Sequence, residues 1–155
     1  NSIKRFVNNF NKLPDYLKKC IVIENDDKVF NVSDTLKISD MINVPIVLDY
    51  HHYKCNNNGE NYLDYIDEIF KTWKDLIPKI HFSSPKNNTK KEYRSHSDYI
   101  DYNEFIKFLE QVKKYNKDID IMLEAKAKDE AVFRLIRQLK YKTNYKFIDD
   151  TSFLV

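Results

Sequence analysis

Four short apolar runs of this chain each end on a carboxylate or an imidazole: Cys20-Ile-Val-Ile-Glu24, Pro45-Ile-Val-Leu-Asp49, Pro78-Lys-Ile-His81 and Ile119-Asp-Ile-Met-Leu-Glu124. Runs this short and this apolar suit strands covered on both faces, the condition of a parallel sheet flanked by helices. In a parallel β/α architecture, functional groups gather at the C-terminal ends of the strands. Glu24, Asp49, His81 and Glu124 are therefore expected at one end of a sheet, and the pattern predicts an α/β fold carrying a metal site.

Between these runs the apolar residues change to helical spacing. Ile3, Phe6, Val7 and Phe10 predict a first helix, and Pro14 opens a second, short one carrying Tyr16 and Leu17. Ser33 or Asp34 is the expected N-cap of a helix that turns Leu36, Met41 and Ile42 inward. Tyr62, Tyr65, Ile66, Ile69, Phe70 and Trp73 follow one buried helical stripe, so these aromatics are core and not a base-stacking platform. A polar loop is expected over residues 83–99. Asp101 with Glu104 has the form of a capping box ahead of Phe105, Ile106, Leu109 and Val112, and Ala131, Val132, Leu135, Ile136 and Leu139 face inward on a last helix. The result is four parallel β/α units, half the complement of an eight-stranded TIM barrel, which typically needs ~250 residues. With no linker and no shift in composition, residues 1–155 are expected to form a single domain, and a helix ahead of the first strand fits a chain cut in mid-barrel.

Composition narrows the function. The single glycine, Gly59, leaves no room for a G-x-G-x-x-G or Walker-type phosphate loop, so nucleotide cofactors held that way are not expected. Apolar residues make up 42% of the chain, enough for a core, and 32% are charged. No apolar run approaches the ~20 residues that span a bilayer, and no cationic leader precedes an apolar stretch, so neither membrane segment nor signal peptide is expected and the chain reads as intracellular. Cys20 and Cys55 lack a zinc-type spacing and read as free thiols. The net charge of +2 selects no partner by itself. Lys113, Lys114 and Lys117, and Lys140, Lys142 and Lys146, read as solvated faces. Lys86, Lys90, Lys91 and Arg94 are different, because they lie between His81 and His96, and basic side chains beside a metal suit a phosphate-bearing substrate.

Glu24, Asp49, His52, His81, His96 and Glu124 together offer oxygen and nitrogen donors without thiolates, a set that suits manganese, magnesium, iron or zinc. Asp49 followed three residues later by His52 can wrap one ion, with His51 facing outward or supporting a ligand. His81 shares a strand face with Lys79, and a lysine buried there would need a carboxylate partner. Glu124 closes a strand of Ile, Met and Leu, where an unpaired carboxylate would be costly and a cation partner is expected.

At these residues the sequence resembles the C-terminal half of the UV damage endonuclease family. The resemblance rests on Ile23-Glu24-Asn25-Asp26-Asp27, Leu48-Asp49-Tyr50-His51-His52, Lys79-Ile80-His81-Phe82-Ser83-Ser84-Pro85, His96-Ser97-Asp98-Tyr99 and Met122-Leu123-Glu124-Ala125-Lys126-Ala127-Lys128-Asp129, in order over about residues 20 to 140. It implies a (β/α)8 barrel related in plan to abasic-site endonucleases of the endonuclease IV type, holding up to three divalent ions, often manganese, and cutting damaged double-stranded DNA 5′ to UV photoproducts. It implies Glu24, Asp49, His52, His81, His96 and Glu124 as metal ligands, with Glu24 and Glu124 central to catalysis, and Lys79 as a site lysine that can be carbamylated. Ser83 and Ser84, with Lys86, Lys90, Lys91 and Arg94, resemble a DNA-facing segment. The family's N-terminal half, with further histidine ligands and the lesion-probing residues, has no counterpart here, so that half is an expected partner. Two other readings fit the ligand pattern: a metal-dependent sugar isomerase-like barrel, and a non-catalytic half-barrel that needs a partner segment to cover its sheet edges.

Overall fold

The computed structural model describes residues 2–155. Among the described residues, α-helices α1 (Ser2–Asn11), α2 (Asp15–Lys18), α3 (Val32–Ile42), α4 (Tyr50–Cys55), α5 (Ile66–Thr72), α6 (Tyr102–Val112) and α7 (Asp129–Lys142) accompany strands β1 (Ile23–Glu24), β2 (Ile46–Asp49), β3 (Lys79–Phe82), β4 (Asp120–Leu123), β5 (Lys146–Phe147) and β6 (Phe153–Leu154). The first four strands are parallel and form one sheet in the order β1-β2-β3-β4, so spatial order follows chain order, as successive β/α units require. The fold is α/β, as the sequence pattern predicts. The chain divides into two compact units, one running up to Ile80 with Asp118–Asp120, the other comprising His81–Lys117 and Ile121–Val155.

In the first unit, Phe10 of α1 packs with Ile38, Ile42 and Val44, and Ile3, Val7, Leu13, Ile21, Ile23 and Phe30 complete the cluster. β1 is shorter than the expected strand 20–24. Its first residues are drawn into the turn after α2, where the Cys20 N–H donates to Leu17 O (2.9 Å) and the Ile21 N–H to Lys18 O (3.3 Å). β1 pairs with β2 in the register Ile23↔Ile46 and Glu24↔Val47. α3 starts ahead of the expected Ser33 or Asp34 cap, because the Asn31 side chain accepts from Asp34 N and caps it first. That start turns Val32, Leu36, Ile38 and Ile42 inward and leaves Met41 59% exposed, against its expected burial. The predicted stripe from Tyr62 to Trp73 is buried except at Tyr65, which is half-buried, and is not one helix: Asn61 caps a 3-10 turn over Tyr62–Asp64, and α5 follows. The end of α5 holds β2 through both backbone groups of Ile46, whose N–H donates to Thr72 Oγ1 (3.0 Å) and whose carbonyl accepts from Trp73 Nε1 (2.6 Å). Gly59, at φ 83, turns the chain after α4.

The second unit is organised around aromatic packing. Phe82 meets Phe105 edge-on at 5.0 Å and Phe108 at 5.5 Å, and all three are buried. Asp101 caps α6 as predicted by accepting from Asn103 N and Glu104 N. The Asp101 N–H, which a capping box assigns to Glu104, donates to Ser84 Oγ (2.9 Å). Phe108 takes a core position that the pattern assigned to Ile106, while Ala131, Leu135 and Leu139 of α7 are buried as expected. Lys128, immediately before α7, has φ 51 and ψ −125, a combination that costs an L-residue ~1–3 kcal/mol. β5 and β6 form an antiparallel hairpin, with Tyr145 stacked on Phe153 at 5.6 Å.

Candidate metal centre

The first unit gathers Glu24, Asp49 and His52 at the C-terminal ends of β1 and β2. Asp49 ends β2 and is fully buried. Its Oδ1 accepts from the His52 N–H at 2.7 Å, so the Asp-x-x-His spacing is an N-cap geometry that begins α4. α4 then carries the His52 ring back over the strand ends, where Nδ1 lies 3.2 Å from Glu24 Oε1 and 3.5 Å from Asp49 Oδ2. Ligand oxygens of Glu24 and Asp49 lie within 4.8 Å of each other, close enough to share one ion. The carboxylates raise the His52 pKa from its ordinary 6.5 to about 9: the hydrogen bond to Glu24 dominates, burial opposes it, and the Asp49 charge and the Asn25 carbonyl add to it.

Asn25, between Glu24 and Asp26, is a residue that the sequence pattern did not single out. It is fully buried; its Nδ2 donates to Asp49 O (2.9 Å), its Oδ1 accepts from Asp49 N (3.0 Å), and its own carbonyl lies 3.0 Å from His52 Nδ1. Asp26 shapes the turn that follows, accepting from the N–H groups of Lys28, Val29 and Phe30. Burial works against its ionised form, but these donors and nearby His52 hold its carboxyl below the usual carboxylate range. His51, expected outward or in support of a ligand, is fully buried with Nε2 3.8 Å from Cys55 Sγ. Lys79 departs from the buried lysine expected at the start of β3: its side chain is 51% exposed and its Nζ pairs with Asp120 Oδ2 at 2.6 Å. That pair supplies the carboxylate partner anticipated for Lys79, at a position where water already screens much of the charge.

The second unit gathers His81, His96 and Glu124. Glu124, just beyond β4, continues the pairing through its N–H to Phe82 O (2.9 Å). Its carboxylate lies between two imidazoles, with Oε1 3.3 Å from His81 Nδ1 and Oε2 3.8 Å from His96 Nδ1. His96 reaches this position because its loop folds back on itself. Pro85 and His96 form an antiparallel bridge, flanked by Lys86 N–H to Ser95 O (2.7 Å) and Ser97 N–H to Ser84 O (2.8 Å). The chain after β4 straps the other side, with Lys126 N–H to Ser97 O and Ala127 N–H to Asp98 O, both 3.1 Å.

Ser83 and Ser84, expected to face DNA, are buried, and Ser84 links the loop to the start of α6. Lys86 is exposed and paired with Glu92, which also accepts from Asn87. That contact raises the Lys86 pKa and lowers that of Glu92. Lys90, Lys91 and Arg94 are exposed. Each cluster thus combines carboxylate oxygens with imidazole nitrogens and no thiolate ligand, a donor chemistry that fits a hard or borderline divalent cation.

Comparison with known proteins bears on the same residues. The UV-endonuclease UvdE family profile matches residues 1–152. A UV DNA damage endonuclease of Bacillus cereus (strain B4264) is 45% identical over 141 residues, covering 89% of this chain and 44% of the relative. Its namesake in Bacillus mycoides (strain KBAB4) is 43% identical over 154 residues, covering 97% of this chain and 48% of the relative. The crystal structure of SacUVDE superposes with a TM-score of 0.79 at 38% identity, over 90% of this chain and 46% of that one. The chain therefore spans about half the length of the curated relatives it matches. A family match over nearly all its residues, on a fold that carries the strand-end acids and histidines, assigns the chain to the UV-endonuclease UvdE family.

Proposed function

We propose that this chain, as one domain over residues 1–155, is the C-terminal half of a DNA repair endonuclease that hydrolyses the phosphodiester 5′ to UV photoproducts in double-stranded DNA. The observation that carries the reading is the presence of two carboxylate–imidazole clusters, Glu24–Asp49–His52 and His81–His96–Glu124, in a chain of the UvdE family. Its first partner is an N-terminal half of the same protein, supported by relatives of about twice the length. No helix among the described residues is long and apolar enough to cross a membrane. The protein acts inside the cell, in the cytoplasm of a bacterium or the nucleus of a eukaryote.

Glu24, Asp49, His52, His81, His96 and Glu124 would hold divalent ions, manganese first, with magnesium, zinc or iron as alternatives. Bound ions supply Lewis-acid stabilisation of a phosphate under attack. The chain's own residues orient and neutralise. Glu24 and Glu124 are the central carboxylates, Asp49 and His52 are held together by the start of α4, and Lys79 stands paired with Asp120. Lys90, Lys91 and Arg94, with Lys86 when it leaves Glu92, contact phosphates, while Ser84, buried beside Ser83, ties the loop that presents them to the start of α6. Such contacts position the duplex without reading its sequence, so lesion choice rests on deformability and base extrusion.

In the full-length protein, incubation with manganese is expected to nick UV-irradiated supercoiled plasmid and leave unirradiated plasmid closed, with chelation stopping the reaction. Equal nicking of both plasmids, or nicking that survives chelation, would overturn the reading. A second expectation concerns protons. His52 must lose its proton to ligate, and its pKa of about 9 lies above neutrality. Manganese binding at pH 7.5 should release close to one proton from His52, with apparent affinity rising as pH climbs toward 9. Calorimetry in buffers of different ionisation enthalpy measures this, and a buffer-independent heat would contradict it. In the metal-free protein the sign reverses: the stabilisation from charged His52 is fully present below about 6.5 and is lost as pH rises through about 9.

A further inference from the structure

β1 ends at Glu24, yet Asp49 lies two residues beyond its partner Val47 on β2 and still needs its backbone groups satisfied, because it is fully buried. One side chain does this. The Asn25 carboxamide donates to Asp49 O (2.9 Å) and accepts from Asp49 N (3.0 Å), so it stands in for a peptide group of a strand that has stopped. Only a carboxamide on a one-carbon stem has a donor and an acceptor side by side at this reach. Aspartate would set a charged oxygen against the Asp49 carbonyl, and leucine would leave both backbone groups without that partner. The same residue offers its main-chain carbonyl to His52 Nδ1 (3.0 Å), the nitrogen that faces Glu24 and Asp49.

We propose that Asn25 is a positioning residue of the metal centre, touching no ion itself but aiming Asp49 and His52 toward Glu24. Its side chain fixes the backbone from which the Asp49 carboxylate projects and from which α4 starts. Partners of this kind typically change metal affinity about 10–100-fold when removed. The proposal rests on the metal-binding reading above, and its test separates the two.

The test titrates the full-length protein with manganese, following free Mn2+ by electron paramagnetic resonance, for the unchanged protein, Asn25→Ala, Asn25→Asp and a control, Ser39→Ala. Ser39 also makes a buried side chain to backbone hydrogen bond in the first unit, donating to Val44 O (2.6 Å), but lies within α3, away from the strand-end ligands. Thermal melts select conditions in which every variant is more than nine-tenths folded. Both Asn25 variants are expected to bind Mn2+ at least tenfold more weakly while Ser39→Ala binds within twofold of the unchanged protein. Undiminished affinity in either folded Asn25 variant would overturn the proposal and leave the metal reading standing. An equal loss in Ser39→Ala would reduce Asn25 to a general structural residue. Should the unchanged full-length protein bind no Mn2+, the metal reading fails and this proposal fails with it. If both Asn25 variants are too unstable to reach the folded threshold under any condition that keeps Ser39→Ala folded, Asn25 is a residue of the fold and the proposal is rejected.

Discussion

Glu24→Gln in the full-length protein is expected to reduce manganese-dependent nicking of UV-irradiated plasmid by about 10³-fold, equivalent to about 4 kcal/mol of transition-state stabilisation. Glutamine keeps the volume and one carbonyl oxygen but removes the charge that faces His52 at 3.2 Å. Two effects then act together: the ion loses an anionic ligand, and the hydrogen bond that contributes most to the raised pKa of His52 loses its charged acceptor. Glu24 is one-third exposed at the end of a strand, so the fold itself should tolerate the change. A plasmid assay paired with a thermal melt distinguishes the outcomes. Nicking within tenfold of the unchanged protein would remove Glu24 from the catalytic group.

The second large effect is on stability. Phe108→Ala should destabilise the second unit by roughly 3–5 kcal/mol. Phe108 is fully buried on α6 and meets Phe82, which is the neighbour of His81 on β3, at 5.5 Å. Truncation leaves a cavity beside the strand that sets His81 opposite Glu124. Against a typical total of about 5–15 kcal/mol, that loss should lower the urea midpoint and weaken metal binding together. A change below about 1 kcal/mol would mean that the aromatic packing is not what holds this strand.

Much of this was legible in the sequence because the signals were local. β2 is bounded by Pro45 and buried at every position, and the Asp101 cap sits three residues before Glu104, so both elements appear where the pattern puts them. Strand β1 was overread because Cys20 and Ile21 are apolar enough for a strand but are captured by the turn after α2. Helix α4 was missed because Asp-x-x-His satisfies two physical descriptions at once: a ligand pair and a helix cap. The structure makes it a cap whose geometry also delivers the ligand. Lys79 and His81 share a strand face, but alternation says nothing about depth, and Asp120 meets Lys79 in the open. Asn25 carried no periodic signal, since both partners of its side chain are 24 residues away. The terminal hairpin did carry a turn signal, in Asp149-Asp150-Thr151-Ser152. Asp149 Oδ1 accepts from Thr151 N and Ser152 N, forming the turn between Phe147 and Phe153.

Among the described residues, Asn43, Asn58, Lys74, Asn116 and Lys128 occupy positive φ, where the chain's one glycine could not be spent. Asparagine tolerates such corners, lysine less so, and the Lys128 conformation least. The fold therefore operates below the stability its own backbone permits. An engineer seeking a hardier protein would begin at its bends, where glycine at Lys74 or Lys128 relieves strain, and could leave both the core and the strand-end ligands as evolution set them.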